Sequence, residues 1–520
     1  MAGKKEQAYS YTKEVVAADQ ECAKTSAEIL ASTYANSEYI KVIRGGKGGL
    51  VALNFPAKKL GIAHSASGDP RETDPVEHAK SLLDILNRHS CAVDAHPIAF
   101  TNIMDLNSGK DLALPISMAR GLEQKAKEYH VACINGETAI LGSRVNPEAK
   151  ANVSGTMISS ISKAQLGRVL RTFPVTRIYR TSSTNFSFEY QGVKYSVFDP
   201  KDRPVTANCD GTGTKPEIRE RVGQQLYLSV DDMVAMLVDD TIKNEAEVLA
   251  LSGIYETSGR FSMREISSIE NYGTGMGAKM GFLLTLQREK IGKRLVGYKP
   301  GAHAANFNGT SISALDIDKI GNQPKPYLYD VLIAISAAEQ DKRGGRSNGF
   351  TLKRKIPVKM YGNEWHTTPG GQELLGHLLI PSIIFYPLIR HLRKEGLITS
   401  MYHMSGGAYK DKLAEPLARH GYFVEIGSAC TRGLFTPHKA EITLFENSGM
   451  TLRDAYTSWP FGNEGFVTAD INDMDNVLTI IHAHGYAGRA VGIIEKHNSK
   501  TGVELTAFNG KKVSFVNMIR

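Results

Sequence analysis

Apolar positions along the chain change period several times, and the changes mark the elements. VIRGGKGGLVAL (42–53) and LGIAHSAS (60–67) read as strands, the stretch at about 76–90 places its apolar residues at helical spacing, and CAVDAHPIAF (91–100) returns to strand. A helix is predicted through SMARGLEQKAKEY (117–129), then a strand at HVACING (130–136). Further on, KYSVFD (194–199) and RPVTANCD (203–210) read as strands around a hairpin-like turn, followed by a helix at 230–243. Past about residue 336 the pattern changes, with helices predicted near 381–394 and 411–419 and strands closing the chain.

The pattern also repeats. ANVSGTMISSI (151–161) and ANFNGTSISAL (305–315) share the frame A-N-x-x-G-T-x-I-S, and upstream DAHPIAF (94–100) is similar to EAEVLAL (245–251) at almost the same separation. Two pairs in one order at near-constant spacing favour an internal duplication of domain size, longer than a solenoid repeat. Duplicated domains can pack inside one chain as a symmetric dimer packs between chains. The expected organisation is therefore three blocks, 1–165, 166–335 and 336–520, in a chain of 520 residues that is too long for one core.

Composition narrows the class. A hydrophobic fraction of 42% and a charged fraction of 22% are those of a globular protein. Five Cys without CxxC spacing argue against a zinc ribbon or a disulfide framework and favour a reducing compartment. No apolar stretch reaches the length of a membrane span, so a cytoplasmic protein is expected, without a membrane partner. The net charge of +8 suits anionic ligands, and without a concentrated basic tract phosphorylated metabolites are favoured over nucleic acid.

The candidate chemistry sits in loops. In NCDGTGTKPE (208–217) a strand runs into a Gly-rich turn, where Gly211, Thr212, Gly213 and Thr214 let the backbone approach a phosphate and Lys215 supplies a point charge. Asp210 would repel that phosphate unless a hard cation bridged them, which points to Mg²⁺. In the helix that follows, Met233, Leu237 and Asp240 share one stripe, so Asp240 is either a metal ligand or a buried ion-pair partner, whereas Asp232 and Asp239 read as solvated or capping. RGGKGGL (44–50) offers a flexible, basic loop through Gly45, Gly46, Lys47 and Gly48, and INGETAILG (134–142) places Glu137 and Thr138 in a turn after a strand. Each repeat keeps what the other lacks: SASGDPRETDP (65–75) has no GTK, and no GET turn stands near 293–303. The last block adds Gly-rich turns at GGRSNGFTLKRK (344–355) and YHMSGGAYKDKL (402–413), where Asn348 and His403 could orient a polar substrate.

Taken together, these motifs resemble the AIR synthetase family, the phosphoribosylformylglycinamidine cyclo-ligases. DGTGTK (210–215) resembles that family's D-G-V-G-T-K, VAMLVDD (234–240) its V-A-M-x-V-N-D and NGETA (135–139) its G-G-E-T-A. RSNGFTLKRK (346–355) and HMSGGA (403–408) resemble H-S-N-G-[FY]-S-L-V-R-K and H-[IL]-T-G-G-G, and the similarity continues through PFGNEGFV (460–467) and VGIIEK (491–496). Arg346, Asn135 and Ala408 depart from the family's His, Gly and Gly.

The resemblance implies an α+β fold: two tandem N-terminal-type domains forming an internal pseudo-dimer with a shared β-barrel flanked by helices, then one C-terminal-type α/β domain. A further homodimer is left open. It also implies ATP and Mg²⁺ as cofactors and a small phosphorylated substrate. The metal would lie on Asp210, Asp240 and Glu137. ATP phosphates would lie on the two Gly-rich loops and Lys215. The substrate would meet Glu137, Thr138, Ser347, Gly406 and Gly407, with Lys215, His403, Arg346 and Asn348 catalytic. Two alternatives stay open, a sibling synthetase or kinase acting on another acceptor and a catalytically silent nucleotide-binding protein.

Overall fold

The computed structural model describes residues 21–518, except 22–23, 45–49, 56–57, 109–110, 183, 224–225, 300, 317–324, 345–348 and 428–431. The chain falls into two compact units, a larger one within residues 11–317 and a smaller one of residues 318–520 joined by 242–244.

The larger unit holds thirteen described strands: β1 (Ile40–Arg44), β2 (Leu50–Leu53), β3 (Lys59–Ser67), β4 (His96–Leu106), β5 (Ala132–Ile140), β6 (Ala151–Ser162), β7 (Thr176–Arg180), β8 (Phe186–Tyr190), β9 (Val193–Phe198), β10 (Val205–Gly211), β11 (Glu247–Ser258), β12 (Leu283–Lys290) and β13 (Ala304–Ala314). Its helices are α1 (Pro75–Ala92), α2 (Ala113–Glu128), α3 (Lys163–Thr172), α4 (Pro216–Val222), α5 (Ser229–Ile242) and α6 (Met263–Met280). One sheet has the order β5-β4-β6-β3-β9-β8-β7 and the other β1-β2-β10-β13-β11-β12. The run β5-β4-β6-β3 recurs as β12-β11-β13-β10, with the same mixture of parallel and antiparallel pairs.

The repeated sequence frame lies on β6 and β13, and its glycine has a packing reason. A Cβ at Gly155 would stand 2.2 Å from the Thr101 carbonyl oxygen and 3.2 Å from Leu82 on α1, and one at Gly309 would stand 2.9 Å from Leu237 on α5. Each helix thus presses a leucine onto a strand where only glycine leaves room. Helix α1 starts cleanly because the Asp74 carboxylate accepts from the Val76 and Glu77 N–H groups and a proline follows at the first helical position.

The two sheets pack face to face across small residues. Ala63, Ile98, Ala132 and Ile158 of one share a core with Ala207, Ala250, Leu283 and Ile312 of the other. Between them run hydroxyl pairs, Ser65 with Ser252 at 2.9 Å, Thr101 with Thr310 at 2.7 Å and Ser196 with Thr285 at 3.0 Å. At the rim the contacts become reciprocal: Asn146 N–H donates to the Arg294 carbonyl and Val296 N–H to the Arg144 carbonyl, with Val145 bridged to Leu295. The guanidinium of Arg144 likewise donates to the Ala305 carbonyl, as that of Arg294 does to the Ala151 carbonyl.

One expectation fails here. β9 and β10 do not form a hairpin: β9 pairs with β3, and β10 pairs with β13 and β2. Positive φ values at Lys201 and Asp202, between Pro200 and Pro204, carry the chain from one sheet to the other. The passage from β2 to β3 does the same in reverse, so each half lends its leading strand to the other half's sheet.

In the smaller unit, β14 (Val331–Ala337), β15 (Ser400–His403), β17 (Gly465–Ala469) and β18 (Tyr486–Ile493) form a sheet of order β15-β17-β14-β18. A second sheet joins β16 (Phe423–Ile426), β19 (Lys500–Thr506) and β20 (Lys512–Met518). Its helices include α7 (Phe350–Lys353), α8 (Pro369–Leu378), α9 (Tyr386–Lys394), α10 (Glu415–Arg419) and α11 (Lys439–Ser448). Helix α9 begins five residues later than the apolar pattern predicts, with Pro387 in its first turn. The segment expected as a helix at 411–419 opens as a π-helical turn, Tyr409–Ala414, before α10.

Candidate functional site

In the larger unit, the packing of β5 against β10 brings acids of the two halves together. Asn135 Nδ2 donates to the Ala207 carbonyl at 3.0 Å, and the Cys209 thiol lies 3.4 Å from Asn135 Oδ1 and 3.3 Å from the Asn102 carbonyl. Glu137, two residues beyond Asn135, and Asp210, one beyond Cys209, are both half-buried. Burial pushes the Cys209 thiol well above its ordinary range, and the nearby charge of Glu137, the Cys133 thiol and the charge of Asp210 push it the same way. Glu137 within β5 and Asp210 near the end of β10 thus both lie in the neighbourhood of the buried Cys209 thiol.

The turn after Asp210 is held from several sides. Thr212 gives its N–H (2.8 Å) and its hydroxyl (3.2 Å) to the Phe307 carbonyl. Gly211 packs so closely on Asn308 that a Cβ would fall 2.3 Å from its Oδ1, and Gly213 turns the chain at φ +60°. Asp240 lies half-buried in the last turn of α5, a helix tied to β10 by Asn208 Nδ2 donating to the Leu237 carbonyl at 3.3 Å. Thr138, Thr212 and Thr214 are buried.

Lys215, expected to meet a phosphate, has an ion-pair partner of its own. Its side chain is fully buried, with Nζ 2.7 Å from Asp232 Oδ1, and Arg219 holds the other oxygen at 3.0 Å. Asp232 and Asp239, expected to be solvated or capping, are likewise fully buried. Burial opposes ionisation of Asp232, but Lys215 and Arg219 outweigh it and hold the carboxyl below its usual range. The lysine thus anchors the turn from beneath, because α4 and α5 close over it.

A second polar centre lies between the sheets, and no local motif announced it. Asp105 on β4 and Glu256 on β11, equivalent positions of the two halves, are both buried. Asn306 Nδ2 donates to Asp105 Oδ2 at 2.8 Å and to Glu256 Oε2 at 3.0 Å, Asn152 Nδ2 to Glu256 Oε1 at 2.8 Å, and Asn308 Nδ2 to Asp105 Oδ2 at 3.3 Å. Burial, and then the neighbouring Glu256, push Asp105 up to about 7 against the pull of the asparagines. The only sequence signal was the two asparagines of the repeated frame, Asn152 and Asn306, whose partners sit on other strands.

In the smaller unit, the motif loops meet around Glu464. Its carboxylate accepts the Gly344 N–H at 3.3 Å and its carbonyl the Met404 N–H at 3.2 Å, one residue after His403, which is buried at the end of β15. Gly406 is exposed and Gly407 half-buried at φ +89°, while Ala408, where the family has glycine, holds φ 36°. Beneath Gly344, the buried Glu441 accepts from Lys353 Nζ at 2.6 Å and pairs with His377 Nε2 at 2.8 Å. Burial opposes its ionisation, yet Lys353 and His377 hold it down at about 2. Gly45, Gly46, Lys47, Gly48, Arg346, Ser347 and Asn348 lie outside the described residues.

Among the described residues, no group of three His, Cys, Asp or Glu side chains is placed to hold a metal by itself, and no helix is long and apolar enough to cross a membrane. Magnesium is commonly held by one or two carboxylates together with substrate phosphates, and the half-buried oxygen donors of Glu137 and Asp210 fit that pattern.

No protein-family model matches the chain. Among curated proteins it is 24% identical over 314 residues to the phosphoribosylformylglycinamidine cyclo-ligase of Pyrococcus horikoshii, covering 59% of this chain and 84% of that one. It is 25% identical over 298 residues to the cyclo-ligase of a Synechococcus species, covering 56% and 81%. Similar solved structures include E. coli HypE, at TM-score 0.39 and 16% identity over 60% of this chain and 84% of that one. Another is Thermotoga maritima PurL complexed with FGAR, at TM-score 0.36 and 12% identity over 61% and 46%. The chain is thus a relative of the AIR synthetase family, matching most of each cyclo-ligase with only part of its own length.

Proposed function

We propose that the protein is an ATP-dependent cyclo-ligase that closes formylglycinamidine ribonucleotide to aminoimidazole ribonucleotide. The observation that carries this reading is the contact of Asn135, beside the GET motif, with Ala207 and Cys209, beside the DGTGTK motif, which brings the two motif-bearing strands together from different halves. The two motifs lie 73 residues apart in sequence (137 and 210), and their meeting gives a reason for both to persist. In this reading the larger unit is two N-terminal-type domains divided near residue 165 and packed as an internal pseudo-dimer around a shared barrel, and the smaller unit is the C-terminal-type domain, starting near residue 318 instead of the expected 336 because β14 belongs to its sheet.

In this reading the formyl-amide oxygen takes the γ-phosphoryl group of ATP, releasing ADP. The amidine nitrogen then attacks the activated carbon, the C–O bond breaks, and inorganic phosphate leaves as the imidazole ring closes. Phosphorylation turns a poor leaving oxygen into a good one, so the protein's tasks are positioning and charge neutralisation. Glu137 and Asp210, with Asp240 as a further candidate, would hold Mg²⁺, which when bound offsets charge on the phosphates. The Gly211–Thr214 turn offers backbone to the nucleotide, and Lys215 fixes that turn through Asp232 instead of touching phosphate itself. His403, Gly406 and Gly407 are assigned to the ribonucleotide, together with Arg346, Ser347 and Asn348 of the RSNGF motif, which lie outside the described residues.

An ADP-release assay with formylglycinamidine ribonucleotide and a panel of other acceptors tests this. Turnover with that ribonucleotide is expected. Turnover with another acceptor alone would replace the substrate, and nucleotide binding without any turnover would replace the activity.

A further inference from the structure

The two-fold relation within the larger unit gives the Glu137–Asp210 position a counterpart, and strand register names its residues. Asp210 pairs with Gly309 and Ala66 with Gly155, so Ala66 stands where Asp210 would be. Ile103, one residue past the partner of Gly155, pairs with Glu137; Ile254, one residue past the partner of Gly309, pairs with Gln287. Gln287 therefore stands where Glu137 would be. The hairpin flanking each position is equivalent too, since β2 joins β10 at Val205–Leu53 as β9 joins β3 at Gly61–Phe198.

At this counterpart the hairpin closes down. Gln287 Nε2 donates to the Gly192 carbonyl at 3.2 Å, at the tip between β8 and β9, and Gln287 Oε1 accepts the Lys194 N–H at 3.1 Å. Lys194 Nζ adds a bond to the Leu286 carbonyl at 2.8 Å and an ion pair with Glu270 at 2.9 Å. The chemistry requires an amide: a glutamine side chain donates and accepts at once, whereas a carboxylate only accepts and would face the Gly192 carbonyl with like partial charge.

We propose that Gln287 is a latch that fastens the β8–β9 hairpin over the counterpart position, so that the chain carries a single nucleotide site, at Glu137 and Asp210. The single-site clause rests on the ATP-dependent reading above; the latch does not. The exchange of the ligand Glu for Gln and of Asp for Ala removes the metal-binding charge, and the same Gln supplies the closure. One substitution thus accounts for both the lost acid and the closed hairpin.

The test joins hydrogen exchange on the full chain to calorimetry with a non-hydrolysable ATP analogue and Mg²⁺. In the wild type, the Lys194 amide is expected to be protected and one equivalent of nucleotide to bind. Gln287→Met, similar in size but unable to hydrogen-bond, is expected to speed Lys194 exchange at least about tenfold, a loss of about 1.4 kcal/mol of local protection, with the melting transition still cooperative. Gln287→Glu, which keeps the acceptor and loses the donor, should fall between the two and guards against a Met variant that folds poorly. Two equivalents bound by the wild type would overturn the single site, and Lys194 exchange equally fast in all three proteins would overturn the latch. Failure of the wild type to bind any nucleotide would count against the ATP-dependent reading, and the exchange comparison would still decide the latch.

Discussion

The two halves of the larger unit have the same strand order, yet they diverge in a patterned way. Where they face each other, equivalent positions keep equivalent chemistry: Asn152 and Asn306, Thr156 and Thr310, Arg144 and Arg294, and the acids Asp105 and Glu256. At the strand ends they part, with Glu137 against Gln287 and Asp210 against Ala66. Residues between the sheets satisfy partners in the other half, so changing one strands a buried polar group, which is costly. The residues that differ, Glu137 and Asp210 against Gln287 and Ala66, lie outside that shared set of cross-sheet partners.

The sharpest way to break the equivalence is at the rim arginines. Arg144 forms a buried two-pronged pair with Glu220 at 2.7 and 2.8 Å, whereas Arg294, for all its matching carbonyl bond, has no counterpart of α4 beside it. Arg144→Ala is expected to cost about 3–5 kcal/mol by stranding the Glu220 carboxylate. Arg294→Ala should cost less, about 1–3 kcal/mol for lost bonds to backbone. Urea unfolding of both variants checks this, and equal losses would mean that α4 adds nothing to the interface. Next in size, Glu137→Gln and Asp210→Asn are each expected to lower turnover by at least about 100-fold with little change in melting temperature. Ala66→Ser, a small change at the buried counterpart position, should leave turnover within about threefold, since no ligand is assigned there. Steady-state ADP release measures all three.

Much of the architecture was legible in the chain, and what was not has a physical cause. The repeated A-N-x-x-G-T-x-I-S frame marked β6 and β13, because a glycine beneath a helix leucine and asparagines reaching across the sheets are local needs with a fixed spacing. Glu137 and Asp210 could be singled out because they sit beside glycines at strand ends. The crossing of β9 and β10 into separate sheets was hidden, since a short Pro-flanked turn between two strands looks the same whether they pair or part. The counterpart of the GET turn was sought near 293–303 but lies at Gln287, because only strand register shows which residue occupies the position. The partner of Lys215 was hidden for a similar reason: Asp232 stands 17 residues on, in α5, and no local pattern links the two.

A smaller effect is expected where the loop meets the central acids. A methyl group at Gly211 would fall 2.3 Å from Asn308 Oδ1, and the Nδ2 of the same asparagine reaches Asp105 and Ser154. Gly211→Ala must displace that side chain, at about 1–3 kcal/mol. The equivalent residue, Ser67, already carries a side chain that donates to Glu256, so Ser67→Ala should cost only about 1 kcal/mol. Thermal unfolding that ranked the two the other way would show that the halves differ beneath the loop more than their register suggests.

The finest probe of the comparison is the proton held between the halves. Asp105 is raised from 3.8 to about 7, first by burial and then by Glu256, so the folded chain keeps a proton that the unfolded chain releases near pH 4. Its contribution to stability is therefore fully present below about pH 4, declines as pH rises through about 7, and is level beyond. The charged neighbours are Arg144, whose charge Asp105 favours, and Arg294, which lowers Glu256; Glu289, itself raised to about 7 by burial and by Glu256, adds a slope of its own in the same range. Asp105→Asn mimics the protonated acid and removes only the Asp105 share. Its stability relative to wild type should rise by about 2–3 kcal/mol between pH 5 and pH 8, measured as the difference between two denaturant titrations. A difference independent of pH would mean that the two halves hold both carboxylates ionised, with the asparagines carrying the whole charge between them.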